Sequence, residues 1–181
     1  GSEPHGDALH QHAEENLQDF ISSGKLQQDE HACYYLYEIT MGVHTQTGIM
    51  TTVSVEEYNK GLIKKHEFTR RDKEDDRTQH IEITNANTGP VLLTYRNEGQ
   101  FQNKITAIKN KTIDISFQAD DYTIHKLWKI SDPGDQETLR SYFESIPALY
   151  IADGHHRAAS ASRVQKIRQD ANPHHKGDES Y

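Results

Sequence analysis

An apolar strand that runs directly into a glycine turn and a helix constrains the fold of this chain more than any other feature. Residues 148–152 have the composition of a buried strand, Gly154 follows closely, and residues 158–168 have a helical pattern. At such a junction the helix begins at the edge of a sheet, and its first backbone N–H groups have no partner within the helix. The chain is therefore expected to build a sheet with helices packed on it.

The remaining segments alternate between strand and helix patterns. Hairpins are predicted over 34–53 and 112–130, and a buried strand is predicted over 91–95. Helices are predicted over 9–21, 72–87, 100–109 and 136–146, and a turn at 132–134 precedes the last of these. A capping box at 54–57 predicts a further short helix that ends near Gly61. We therefore predict an α+β fold, with a mixed and mainly antiparallel sheet and flanking helices.

The length and composition predict one domain with a thin core. The chain has 181 residues, of which 33% are apolar and 27% charged. We expect residues 8–171 to form a single α+β domain, residues 1–7 to be a tag or a disordered leader, and residues 172–181 to be a polar tail. Small domains bury only a modest share of their surface. The low apolar content therefore favours a fragment of a longer protein or a subunit of an assembly, including a homo-oligomer.

The composition also argues against several kinds of site and partner. No run of apolar residues approaches the roughly 20 that span a bilayer, so no membrane association is expected. The single cysteine, Cys33, excludes a disulfide within the chain and a cysteine-based zinc site. The formal net charge of −8 argues against DNA binding by bulk charge, because domains that bind DNA in this way are usually basic. We therefore expect a cytoplasmic protein without a DNA or membrane partner.

The segment Asp153-Gly154-His155-His156-Arg157 carries the strongest functional signal. A glycine at the helix start allows a phosphate close to the backbone, and the helix dipole favours an anion there. Arg157, His156 and His155 add donors for phosphate oxygens. Asp153 can hold a magnesium ion together with those phosphates. The pattern predicts a phosphate or nucleotide site at this turn, with Mg²⁺ on Asp153.

The same residues also permit a structural interpretation. Asp153 can cap the helix while the side chains of its first turn lie in solvent. Cationic side chains beside a helix N-terminus are unfavourable unless an anion compensates them, which favours the functional interpretation. A zinc site is disfavoured, because adjacent histidines on a helix diverge and neither His155 nor His156 has a histidine four residues later.

A second candidate lies at His66-Glu67. In a loop, a carboxylate beside a histidine can deprotonate or orient an acceptor hydroxyl, so both residues are candidate catalytic groups. Lys65, Thr69 and Arg77 lie nearby in the sequence and are candidate phosphate ligands. The alternative is a solvated charged loop, which is the usual meaning of such a run of charges.

Taken together, these blocks resemble a known bacterial family. The stretches that carry the resemblance are 45–49, 61–69, 76–77, 88–91, 127–130 and 148–159. They are similar to the family known as domain of unknown function 1015, and the IKKHE and ADGHHR blocks make the resemblance specific. Members of that family are about twice as long. The resemblance therefore implies that N- and C-terminal segments of the full-length chain are missing here and would pack against it.

The ADGHHR block also resembles the phosphate-binding box of a wider group, which includes ParB-type partition proteins, sulfiredoxin and the free-serine kinases related to ParB. In sulfiredoxin a catalytic cysteine precedes the His-Arg pair, whereas this chain has His155 there, so sulfinic-acid reduction is not implied. ParB proteins add a DNA-binding helical domain that this sequence does not show. In the serine kinases a glutamate activates the serine hydroxyl, and Glu67 matches that role by analogy.

The residues and the resemblance together predict nucleotide-dependent phosphoryl transfer to a small hydroxylated metabolite, with L-serine as the first candidate. ATP or ADP with Mg²⁺ would be the cofactors, the Gly154 turn would hold the phosphates, and Glu67 would be the general base. A nucleotide-binding switch or scaffold without turnover is the alternative, and a metal-dependent phosphoesterase is the third. Phosphoryl transfer requires Glu67 within roughly 10 Å of the phosphate site, so the chain must bring distant segments together.

Overall fold

Helices and strands alternate along the part of the chain that the computed structural model describes, residues 4–96, 99, 101–174 and 176. The helices are α1 (Pro4–Ser22), α2 (Val55–Asn59), α3 (Arg71–Thr84), α4 (Gln102–Lys109), α5 (Pro133–Glu144) and α6 (His155–Ala171). The strands are β1 (Tyr34–Met41), β2 (His44–Met50), β3 (Ile63–Lys64), β4 (Leu92–Thr94), β5 (Ile115–Gln118), β6 (Ile124–Ile130) and β7 (Leu149–Asp153). The predicted α+β class with mainly antiparallel strand pairing is confirmed.

The chain forms two compact units. The first unit is formed by residues 1–27, 54–95 and 148–181, and the second unit by residues 28–53 and 96–147. The strands are divided accordingly between two sheets, whereas the sequence predicted one. The assignment of residues 8–171 to a single domain stays a prediction.

An antiparallel sheet in the order β2–β1–β6–β5 belongs to the second unit. Side chains alternate between the two faces of a strand, and Leu36 and Trp128, which lie opposite each other on β1 and β6, are both buried. Leu139 of α5 and Ile108 of α4 belong to the same buried cluster. These two helices therefore pack on one face of this sheet, and the core lies between them and the sheet.

A sheet in the order β3–β7–β4 belongs to the first unit. The central strand β7 runs parallel to β3 and antiparallel to β4. Tyr58, Ile63 and Ile151 form its buried cluster. Because parallel strands end at the same edge of a sheet, the loop after Lys64 and the turn after Asp153 lie next to each other. This pairing positions the candidate site.

Side-chain caps explain where two of the helices begin. The Ser54 hydroxyl accepts a hydrogen bond from the Glu57 N–H (3.3 Å), as the capping box predicts. Asp132 accepts one from the Asp135 N–H (2.9 Å), and Pro133 is the first residue of α5. The turn predicted at 132–134 is wrong, because aspartate followed by proline suits a helix start equally well.

Other boundaries also differ from the expected ones. β4 lies at the edge of its sheet and leaves Leu92 49% exposed, so it is not the buried strand that the sequence suggested. α6 begins at His155 rather than at Ala158, and α1 begins at Pro4. Parts of the expected leader and tail, residues 1–3, 175 and 177–181, lie outside the described residues. Within the described part of the chain, no helix combines the length and the apolar character needed to cross a membrane.

Candidate functional site

The loop after β3 and the first turn of α6 meet at a buried histidine. His155 is 4% exposed, and its Nδ1 lies 3.1 Å from Oε1 of Glu67. The His66 ring stands nearly at right angles to the His155 ring, with the two centroids 4.3 Å apart. Glu67 therefore lies beside the Gly154 turn, as expected from the sequence, and its role as a general base stays a prediction.

Gly154 lets the chain pass from β7 into α6 within a single residue. Its φ of +94° lies in the left-handed region that favours glycine. A Cβ on Gly154 would lie 2.9 Å from Arg157 Nη2, and a Cβ on Gly89 would lie 2.9 Å from Arg157 Cδ. The Arg157 side chain is thus packed against two glycines, and its Nη2 donates to Oδ2 of Asp153 (2.7 Å).

Several buried nitrogens at the start of α6 have no hydrogen-bond partner among the described residues. They are His155 Nε2, His156 Nδ1 and Arg157 Nε. Buried polar atoms in folded proteins are nearly always hydrogen-bonded, so this grouping is unusual. No side chain caps the helix, because its N-cap residue is Gly154. The arrangement suits a ligand with several oxygens, such as phosphate.

A cavity of about 370 Å³ lies beside this turn. It is lined by Tyr58, Lys65, His66, Glu67, Phe68, Thr69 and His155. Nζ of Lys65 lies 3.9 Å from the centroid of the Tyr58 ring, a cation–π contact that holds the charge at the cavity wall. The Thr69 hydroxyl donates a hydrogen bond to Glu74 of α3, which ties the loop to that helix. The space is sufficient for a small metabolite.

A second cavity, of about 210 Å³, is lined by Arg157 together with residues of α3 and of the loop before β4. Those residues are Arg77, His80, Ile81, Asn87, Thr88 and Gly89. Burial, with smaller contributions from His10 and Arg77, holds the pKa of His80 below its ordinary value. Its ring is therefore neutral at neutral pH, and its Nε2 lies within hydrogen-bond distance of the Thr88 hydroxyl (3.2 Å).

The predicted site residues are distributed over this region rather than gathered at one point. Lys65, His66, Glu67, Thr69 and His155 line the first cavity, and Arg77 and Arg157 line the second. The Asp153 side chain is 74% exposed, pairs with Arg157 and lines neither of these cavities. A single exposed carboxylate fits a Mg²⁺ ion whose other ligands are phosphates and water, so its metal role stays a prediction.

Sequence reasoning missed Gly89, Tyr58 and Glu74. Gly89 lies in the 88–91 block that carried part of the resemblance, so a signal was present. Gly89 leaves space for the Arg157 side chain, and this contact joins segments that are distant in the sequence. Tyr58 and Glu74 gave no signal, because an aromatic residue in a helix and a glutamate in a charged segment are common.

Comparison with known families places the chain in one of them. The family described as "Protein of unknown function (DUF1015)" matches residues 2–181. The chain belongs to this family. The match confirms the resemblance that the IKKHE and ADGHHR blocks indicated. No curated protein and no solved structure matches the chain, so the likeness to ParB and sulfiredoxin stays a prediction.

Proposed function

We propose that this site binds nucleotide phosphates and transfers a phosphoryl group to a small hydroxylated metabolite, with L-serine as the first candidate. One observation carries this proposal: the first turn of α6 holds buried nitrogens without a partner among the described residues, and its His155 contacts the carboxylate of Glu67 through Nδ1 (3.1 Å). The nitrogens suit phosphate oxygens, and the carboxylate suits an acceptor hydroxyl. Positioning and charge neutralisation supply most of the rate in phosphoryl transfer, so these groups are the kinds required.

In the proposed reaction the acceptor oxygen attacks the terminal phosphorus of ATP or ADP. The bond from that phosphorus to the bridging oxygen breaks as the new P–O bond forms, and the hydroxyl proton passes to Glu67. Arg157, His156 and the backbone at the helix start bind the phosphate oxygens. Asp153 together with the phosphates would hold Mg²⁺, which would offset part of the phosphate charge. His155 orients the Glu67 carboxylate through its Nδ1.

Nucleotide binding is tested first. The protein is titrated with ATP and with ADP in the presence of Mg²⁺ by calorimetry. We expect Arg157→Ala to weaken binding about 10- to 100-fold, because it removes charge-assisted contacts with phosphate. Arg168→Ala is the matched control on the same helix, where the arginine pairs with Glu82 (2.9 Å), and it should bind like the parent. Unchanged binding by Arg157→Ala would contradict the phosphate site.

Turnover is tested separately, by ³¹P NMR detection of the phosphorylated acceptor. Glu67→Gln should keep nucleotide binding and lower turnover about 100- to 10,000-fold, the usual contribution of a general base. Glu56→Gln is the control, since Glu56 pairs with Lys60 on the exposed surface of α2. If the parent protein binds nucleotide but never consumes it in the presence of an acceptor, a nucleotide-binding switch is the better assignment.

A further inference from the structure

The cluster of His66, Glu67 and His155 has the composition and spacing of a metal site. Each histidine offers a ring nitrogen and Glu67 offers a carboxylate oxygen, and these ligand atoms all lie within 4.8 Å of one another. We propose that the cluster binds a divalent transition-metal ion, with Zn²⁺ the best match. Two imidazoles and one carboxylate form a common ligand set of zinc sites that keep a coordination position open.

The ligand atoms lie close to the separation that such an ion requires. In tetrahedral coordination with bonds of about 2.0–2.1 Å, neighbouring ligand atoms lie about 3.3 Å apart. Glu67 Oε1 and His155 Nδ1 are already 3.1 Å apart. The His66 side chain is exposed, so its ring is free to turn towards the other two ligand atoms, which lie within 4.8 Å.

The surroundings favour a site that is open on one side. His155 is buried, whereas the Glu67 side chain is 54% exposed, so the protein binds the ion from one side only. The other side faces the cavity of about 370 Å³ that these same residues line. Structural zinc sites usually have four protein ligands, whereas three ligands and an open position are typical of sites that bind a substrate oxygen.

The sequence disfavours a zinc site formed by the adjacent pair His155 and His156. His156 indeed does not belong to the cluster. The ligands that come together instead are His155 and two residues of the loop after β3, His66 and Glu67. The parallel pairing of β3 with β7 brings these segments together.

The metal site goes beyond the proposed phosphoryl transfer, because it requires neither nucleotide nor acceptor. With the ion bound, Glu67 is a metal ligand, and a hydroxyl at the open position loses its proton more readily than in water. Without the ion, Glu67 keeps the role of general base. Metal binding and nucleotide binding can therefore be measured independently of each other.

Metal binding to the nucleotide-free protein tests this inference by itself. Chelator-treated protein is titrated with Co²⁺, whose visible absorption reports tetrahedral coordination, and Zn²⁺ affinity is then measured by displacement. We expect one tight site per chain. His66→Ala and Glu67→Ala should each weaken it by at least about 10-fold, since even changes outside the ligand set cost this much. Both side chains are exposed, so the variants should keep the fold, which circular dichroism checks.

His12→Ala is the matched control. His12 also faces a glutamate, Glu15 at 3.5 Å, but this surface pair on α1 is not part of the three-residue cluster found among the described residues. If His66→Ala and Glu67→Ala bind the metal as tightly as the parent, or if the parent shows no stoichiometric binding, the inference is overturned. Metal binding without nucleotide binding would support the inference and contradict the proposed function.

Discussion

Arg157 is positioned by close packing more than by hydrogen bonds. Its Nη2 pairs with the exposed carboxylate of Asp153, whereas its buried Nε has no partner among the described residues. Gly89 and Gly154 lie so close to the side chain that neither can carry a Cβ without displacing it. Since the guanidinium group recognises phosphate through a fixed arrangement of donors, small displacements should matter.

We expect Gly89→Ala to weaken nucleotide binding with little effect on stability. The new Cβ would lie 2.9 Å from Arg157 Cδ, and the flexible arginine can move away more easily than the backbone. Nucleotide affinity should fall about 10-fold, while the free energy of unfolding in urea should change by less than about 1 kcal/mol. Gly48→Ala is the control, because a Cβ there meets no atom of the described residues within 4 Å. Unchanged affinity in Gly89→Ala would show that Arg157 does not depend on this contact.

At the scale of the elements, α6 differs from α2 and α5 in how it begins. α2 and α5 have a side-chain cap, from Ser54 and Asp132, whereas α6, like α3 and α4, has none, and its N-cap residue is a glycine. A capping side chain would occupy the N–H groups of the first turn. The uncapped start therefore costs stability and leaves those donors available to a ligand.

We expect Gly154→Ala to lower the free energy of unfolding by about 1–3 kcal/mol and also to weaken nucleotide binding. An alanine is strained at a φ of +94°, and its Cβ would lie 2.9 Å from Arg157 Nη2. Gly61→Ala is the matched control: Gly61 also has a positive φ (+75°), but a Cβ there would have no neighbour within 4 Å in the described part of the chain. Gly61→Ala should lower the free energy of unfolding but leave nucleotide affinity unchanged. Circular dichroism in urea and calorimetry measure the two effects, and full nucleotide affinity in Gly154→Ala would be evidence against the role of this turn.

At the scale of the molecule, the acidic chain places two carboxylates in the interior of the second unit. The Glu38 side chain is 10% exposed and lies 2.6 Å from Lys109 Nζ. Asp135 is 13% exposed and pairs with Lys104 and Lys111. Hydrogen bonds from these lysines hold the pKa of each carboxyl below its ordinary value.

This arrangement predicts that the second unit loses stability in acid. A folded-state pKa below the unfolded value means that the unfolded chain binds more protons, so the stabilisation is complete above about pH 4.5 and is lost as the pH falls through the lower folded pKa. Trp128, the only tryptophan in the sequence, is 3% exposed in the core of this unit, so its fluorescence follows unfolding there.

Glu38→Gln tests the effect directly. At pH 7 it should lower the free energy of unfolding by about 1–3 kcal/mol, because it removes the charge that Lys109 faces. The difference from the parent should shrink below about pH 4. Glu137→Gln is the control, since Glu137 is 57% exposed in its pair with Arg140 and should change stability by less than about 1 kcal/mol. A pH-independent difference would mean that Glu38 acts through packing rather than charge.

The sequence by itself determined the features that depend on neighbouring residues. β-branched and aromatic residues around a turn predicted the first hairpin, and alternating side chains predicted the second. The capping box at Ser54 predicted the start of α2, and the ADGHHR block indicated both a helix start and the family. The segment 132–134 shows the limit of such reasoning. Its residues suit a turn or a helix start, and α5 begins there with Leu139 in the core.

Only the tertiary structure decided what surrounds the Gly154 turn. A strand as short as β3 has no periodicity to detect, yet its parallel pairing with β7 places Glu67 beside His155. The contact of Gly89 with Arg157 and the division of the strands between two sheets are equally non-local. Contacts of this kind depend on which segments pair and on the space between them, and neither is encoded in the pattern of any one segment.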